Sequence, residues 1–470
     1  MTAGDEERWA REFLAKIHSS PQAPNPSSYP EPTHRSNSYW IREFPIDFED
    51  EWVNAAAPDT VDVAIIGSGI TGATVAYQLA KSRPELKVAL FEARGLCTGA
   101  TGRNGGHIGR PDAHGIRDLA EQFGVEEALR IRRFNRMNRE LMLETIGELD
   151  AAEEVDLSVK GTLIVFEDEE ERDTYCQDEE FAREHGLELE GFVVDQEWVL
   201  KKVNMDPSLA RYGGAYIERS GTIYPRKFVA LLLRKARDHS NSFSLHPYTP
   251  VSEVTYNPDL GDAPYDIVTT KGTTRAKVAF HATNGYASHL LASMATQEGV
   301  LGCTAHMLGV TPNCPETAAQ LEGGFGYASF WHWLLQRPNK GPYLYGFAAA
   351  EGMGEYNDTI TLQRGHAVRG EMLAFLAKAF PRSFSEQTSE KDICYDWTGV
   401  QGFTVDGCSI VGRPAVERRG EFVSVGHNGE GMGRCFACST MITGAIIAHL
   451  DKKLDWEPPE WFPQSYRRNI

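Results

Sequence analysis

Residues 61–106 read VDVAIIGSGITGATVAYQLAKSRPELKVALFEARGLCTGATGRNGG, and the fold is decided within them. Val61, Val63, Ala64, Ile65 and Ile66 make an apolar, β-branched run with the length of a buried parallel strand. Gly67, Gly69 and Gly72 follow at the GxGxxG spacing, with Ile70 and Thr71 between the last two. Ala73, Val75, Ala76 and Leu79 carry a helix as far as Pro84, and a second apolar strand, 87–91, runs into Glu92. Each part suits a dinucleotide. Gly67 permits a tight turn, Gly69 admits a pyrophosphate to the backbone, and Gly72 lets helix pack on strand. The free amides and positive end of the helix attract phosphate. Glu92 accepts from the adenosine ribose hydroxyls and repels a 2′-phosphate. A lone GxGxxG is a weak signal. Strand, glycines, helix, strand and acid in register predict a Rossmann-type βαβ unit; a strand–helix turn with no ligand is the plainer alternative.

The chain has 470 residues, beyond the size at which one core keeps growing, so two domains are expected. A hydrophobic content of 41% fills such cores. Lys and Arg total 47 against 66 Asp and Glu, a net charge of −19, which opposes nucleic acid and anionic membranes as partners. Eight irregularly spaced cysteines do not form a disulfide framework. Cys435 and Cys438 make a CxxC inside a small-residue apolar helix, where packing is favoured over redox or metal chemistry. The first twenty residues carry both charge signs and lack a secretory apolar core. No membrane span or peroxisomal tripeptide stands out, so the default expectation is cytoplasmic.

Outward from the opening unit, residues 1–20 have the spacing of an amphipathic helix and 21–36 are rich in Pro and Ser. The aromatic stretch 38–48, SYWIREFPIDF, is expected to lie on the folded body through Trp40 and Phe44. Behind Glu92, Ala93 and Arg94, the loop 95–111 includes Ala100, Thr101, Gly102, Arg103, Asn104, Gly105 and Gly106 and runs beside whatever the first unit binds. Further strands lead to the turn Thr283, Asn284, Gly285, to short antiparallel strands after residue 301, and to the segment WTGVQGFTVDG (397–407). The loop GHNGEGMG (426–433) then opens a last helix. The expected division is an extension at 1–59 and a discontinuous cofactor domain at 60–110, 213–300 and 395–450. A substrate domain takes 111–212 and 301–394, and a tail 451–470.

GSGITG, Glu92, ATGRNGG, the 283–285 turn, WTGVQGFTVDG and GHNGEGMG, in that order, resemble the D-amino-acid-oxidase superfamily of FAD-dependent oxidoreductases. The likeness is to the branch of sarcosine, glycine and γ-glutamylputrescine oxidases, over about residues 60–450. It implies an α/β fold in which a parallel-sheet FAD domain joins an antiparallel-sheet substrate domain, the glutathione-reductase-2-like architecture. It places the pyrophosphate at Gly67, Gly69 and Gly72, and the ribityl chain and flavin ring beside 100–106. Adenine falls at the Val251 backbone and the pyrimidine edge of the flavin at Gly429, Gly431 and Met432, with Gly402, Gly426 and His427 as further cofactor-binding residues.

The implied chemistry is hydride transfer from a carbon beside nitrogen, giving an imine, with O2 as acceptor and a small amine or amino-acid derivative as substrate. Candidate catalytic residues are His427, Gln401, His332 and Tyr345, with His306 and His107 behind them. Gln401 stands where the glycine-oxidase type carries a carboxylate-binding arginine, a role Arg413 is the candidate to take over. Cys394 lies near the place where sarcosine-oxidase relatives attach flavin covalently, although non-covalent FAD is the main expectation. Two other readings are a flavin-fold binding or scaffold protein and an NAD-dependent dehydrogenase.

Overall fold

The computed structural model describes residues 38–469 apart from 110, 297, 315, 330, 348–366 and 454. The amphipathic pattern at 1–20 and the Pro-rich stretch at 21–36 lie outside the described residues. Two large sheets dominate, with nine and eight strands among those residues.

The first sheet grows from Thr60–Ile66, which pairs in parallel with Val88–Phe91 on one side and Gly272–His281 on the other. Phe243–His246 extends one edge and Glu421–Val425 the other, again in parallel. Parallel strands need helical crossovers on both faces, which is why the central run is buried almost without interruption. The helix Ile70–Ser82 follows the first strand directly. A Cβ at Gly72 would lie 2.0 Å from the carbonyl oxygen of Gly67, so only glycine allows this helix to seat against the turn.

The second sheet runs in spatial order Ile393–Phe403, Leu301–Val310, Tyr343–Phe347, His332–Gln336, Gly324–Tyr327, Thr162–Val165, Gly214–Ile217, Gly191–Val194. It is antiparallel except where Gly324–Tyr327 meets Thr162–Val165. Two expected boundaries therefore move. Gly214–Ile217 and the part of Ile393–Phe403 from residue 395 on, placed in the cofactor domain from sequence, pair into this second sheet. Both segments are apolar strands in sequence, and the pairing partner, not the strand itself, decides their domain.

Helices Ile70–Ser82, Val125–Glu148, Pro225–His239 and Gly431–Leu450 pack into the main apolar core. Gly431–Leu450 is long and apolar enough to cross a bilayer, yet 72% of its most apolar window is buried inside the protein. Cys435 and Cys438 on this helix are buried free thiols.

Close packing at Gly72 gives a direct test. Gly72→Ala should destabilise the protein by about 3 kcal/mol in urea unfolding, because its methyl meets backbone. Gly147→Ala, within Val125–Glu148 and with nothing within 4 Å of the added carbon, should instead gain roughly 0.5–1 kcal/mol from helix propensity. Equal effects of the two would contradict the seating argument.

Candidate functional site

A continuous cleft enclosing about 1450 Å3, open solvent at its mouth included, runs from the first strand–helix turn to the second sheet. Its walls hold Gly67, Gly69, Ile70 and Thr71 of the glycine turn, then Glu92, Ala93 and Arg94. Ala100, Thr101, Arg103 and Asn104 follow, with Val251 and the turn Thr283, Asn284, Gly285. Gln401, His427, Gly429, Gly431 and Met432 complete the expected set that faces the cleft. Sequence separations of more than 300 residues are thus closed in one cavity.

The fittings are those of a dinucleotide. The Glu92 carboxylate is held before any ligand arrives: Ser68 donates its amide at 3.0 Å and its hydroxyl at 2.6 Å, and the Arg94 amide donates at 3.0 Å. A carboxylate so oriented keeps lone pairs for a ribose diol. Two helix N-termini, at Ile70 and Gly431, open onto the same cleft and bring positive dipole ends to it. Thr101 accepts from the Ile70 amide at 3.1 Å, tying the loop to the first helix start. The buried Thr283 hydroxyl has no hydrogen-bond partner among the described residues, and the residue faces the cleft. These donors and acceptors suit FAD: the helix start would hold phosphate and Glu92 the ribose, with Gly429, Gly431 and Met432 left to the flavin.

Several expected contacts resolve into packing positions instead. Gly72, Gly102, Gly105, Gly106, Gly402 and Gly426 do not line the cleft. Added Cβ atoms would meet Cys97 O at 2.1 Å from Gly102, the Trp333 ring at 2.7 Å from Gly105, and Asn284 Oδ1 at 2.8 Å from Gly402. At Gly106 the obstacle is Ile223 O at 2.8 Å, and at Gly426 the Thr404 methyl at 2.7 Å. Arg103 reaches the cleft with part of its side chain, but its guanidinium donates to Thr98 O and Thr398 O, both at 2.7 Å. It splices the loop to the second sheet.

His332, Tyr345 and His306 are corrections. His332 pairs with Phe347, which also pairs with His306, and Tyr345 pairs with Leu334 and Leu308. Opposed residues share a face, and this face packs the apolar cluster containing Leu308, Leu334 and Tyr345. His332 Nδ1 lies 2.5 Å from the Tyr345 hydroxyl, and its ring stacks on Phe375 at 4.0 Å. Burial pushes His332 down to about 4 and Tyr345 well above the phenolic range. The alternate residues face the cofactor loop: Trp333 touches the Gly105 position, and Ala305 and Gln401 line the cleft.

His107 is half-buried, and its Nε2 donates to Leu334 O at 3.1 Å, another splice between loop and second sheet. Cys394 does not line the cleft, and its thiol donates to Gly309 O at 3.2 Å. Arg413 also lies outside the cleft, at the end of the first-sheet strand Ile410–Gly412. Sequence reasoning missed Ser68, the middle residue of GSG, whose hydroxyl bridges Glu92 and the Cys97 amide. The motif's variable position gave no signal for that role.

His427 faces the cleft but is 3% exposed, with Nδ1 3.1 Å from the Ser409 hydroxyl. Burial first, then the nearby Arg434 charge, lowers its pKa to about 3, against a partial rise from the Ser424 backbone. It is neutral at working pH, a hydrogen-bonding wall group and no proton reservoir. Gln401 projects towards the loop: a Cβ on Gly429 would sit 3.5 Å from its Oε1.

An FAD-type dinucleotide site on a doubly wound sheet, flanked by an antiparallel sheet, defines a flavin-dependent oxidoreductase. The chain belongs to the family described as FAD dependent oxidoreductase (DAO), which matches residues 62–445. It is 24% identical over 396 residues to glycine oxidase of Geobacillus kaustophilus (strain HTA426), covering 83% of this chain and 92% of that protein. It is 26% identical over 233 residues to γ-glutamylputrescine oxidoreductase of Escherichia coli (strain K12), covering 48% and 50%. The fold superposes on the crystal structure of the Geobacillus kaustophilus glycine oxidase with TM-score 0.67 at 23% identity, covering 88% of this chain and 100% of that one. L-proline dehydrogenase from P. horikoshii superposes with TM-score 0.66 at 21% identity, over 84% and 95%.

The neutral histidines set a pH dependence. His107 is lowered to about 4 and His427 to about 3, both through burial, whereas the unfolded chain takes up these protons near pH 6.5. The unfolded state then binds more protons, so stability falls as pH drops from about 6.5 towards 4. The melting temperature of apoprotein should fall over that window, and His427→Gln should flatten the slope. A slope unchanged in His427→Gln would refute the assignment.

Proposed function

We propose that this chain oxidises a C–N bond of an amine or substituted amino acid to the imine, with non-covalent FAD as hydride acceptor and O2 reduced to hydrogen peroxide. The balance is amine plus O2 to imine plus H2O2. Two of its relatives, a glycine oxidase and a γ-glutamylputrescine oxidoreductase, support an amino compound as substrate. The observation that carries the choice within that class is the uncharged sheet face at the cleft, where Ala305, Gly399 and Gln401 stand.

Bound FAD supplies a two-electron acceptor for the hydride. The chain supplies the setting. Gln401 offers an amide donor and acceptor, which orients a neutral polar group but adds no charge to hold a carboxylate. Apolar side chains in the cleft wall, such as Val400 and Leu290, would desolvate a bound ammonium, which lowers its pKa and favours the neutral amine that gives up hydride. The amides at the start of Gly431–Leu450 would hold the bound group and could stabilise negative charge on it, as an oxyanion hole does.

Purified protein should carry a flavin absorption band that bleaches anaerobically with an uncharged amine or an N-substituted amino compound, with peroxide released in air. Colour left in the supernatant after acid precipitation is the expected sign of non-covalent binding. Gln401→Arg should raise kcat/KM for glycine or sarcosine, relative to an uncharged amine, by about tenfold, the value of a charge-assisted hydrogen bond. A flavoprotein that no member of a broad amine and amino-acid panel bleaches would defeat the proposal.

A further inference from the structure

The stretch 38–49 belongs to neither sheet, yet it holds the cofactor loop from outside. Ser38 caps the short helix Tyr39–Arg42, accepting from the Ile41 amide at 3.2 Å, and donates its hydroxyl to Gly102 O at 2.5 Å. Trp40 is wholly buried and donates its indole N–H to Asn104 O at 2.7 Å. Its ring also closes on Gly106, where a Cβ would lie 3.1 Å from the indole carbon Cζ2. At the far end of the loop, Glu49 accepts from the Leu96 amide at 2.7 Å. Three backbone groups of one loop are thus satisfied by side chains of one strap.

The strap is itself anchored at the start of the helix Pro225–His239, where Arg226 also donates to the loop carbonyls of Leu96 and Cys97. Tyr224 donates its hydroxyl to Trp40 O at 2.9 Å, and Arg226 Nε donates to Phe44 O at 2.9 Å. The Arg337 guanidinium sits 5.3 Å from the Tyr39 ring, 5.3 Å from Trp40 and 5.1 Å from Tyr224. The held loop carries Thr101, which caps the first helix start, and the cleft-lining Ala100 and Asn104. Ordering therefore passes from strap to loop to cofactor site. A loop rich in glycine loses much chain entropy on binding unless something fixes it first.

We propose that 38–49 is a built-in strap that pre-organises the cofactor loop, with Ser38 and Trp40 as positioning residues that set FAD affinity; the inference rests on the FAD reading of the cleft. Leaving either buried carbonyl without its donor, by Trp40→Phe or Ser38→Ala in the full chain, should raise the FAD dissociation constant about tenfold and shift the flavin absorption bands. Ser38→Thr keeps a hydroxyl and should restore binding. Glu43→Gln, which alters only the bond from the Tyr395 hydroxyl (2.7 Å) on the outer side of the strap, should stay within twofold of the parent.

Amide hydrogen exchange over 96–106 in apoprotein supplies a readout independent of flavin. It should quicken in Trp40→Phe and Ser38→Ala but not in Glu43→Gln. Parental exchange and affinity in Trp40→Phe and Ser38→Ala, or equal weakening by Glu43→Gln, would overturn the strap. A parent protein that binds no FAD while exchange still quickens would overturn the FAD reading and confine the strap to loop order.

Discussion

One buried amide governs the geometry of the cofactor end. Asn138, wholly inside the protein on Val125–Glu148, donates to Met432 O at 2.9 Å and accepts from the Ala437 amide at 3.0 Å. An amide that satisfies both its ends in the core has little freedom, and a mismatch there costs about 1–3 kcal/mol. It fixes where the last helix begins. Ser439 then donates to Thr71 O at 3.1 Å, and Gln78 reaches Thr440 and Thr443, so the first and last helices are locked side by side. Their N-termini open on one cleft because these polar pairs leave them no other register.

The glycine loop behind Glu92 is the second shared part. Its backbone carbonyls are read from several directions: Trp397 donates to Arg103 O at 2.8 Å, while the strap takes Gly102 and Asn104. Arg103 and His107 return contacts to the second sheet. The loop's glycines serve mainly to let an indole, a carbonyl or a neighbouring strand approach.

Much of this was legible in the sequence. The strand, the glycines, Glu92 and the helix after Gly431 announce themselves through local chemistry, and they meet where that chemistry requires. What failed is non-local. His332 and Tyr345 sit in strands that are correctly read, but strand side chains alternate, and which parity faces the cofactor is set by pairing partners far away. Trp333, one residue from His332, faces the loop instead. The same limit moved Gly214–Ile217 and the part of Ile393–Phe403 from residue 395 on to the second sheet. Trp40 and Phe44 were recognisable as anchors because so aromatic a stretch rarely stays in solvent; that Trp40 seats on Asn104 was not.

The strand Glu421–Val425, beside Gly272–His281 in the first sheet, has a consequence for how the molecule is made. The opening βαβ unit precedes its sheet's other strands, and the sheet cannot be completed until more than 300 further residues have followed. The second sheet waits in the same way, since Thr162–Val165 must find Gly324–Tyr327. Such long-range pairing slows folding and leaves strand edges exposed in the meantime. Assembly of the cleft therefore waits for distant segments, and a nascent chain halted before Gly324–Tyr327 offers chaperones two open sheets and half a nucleotide site.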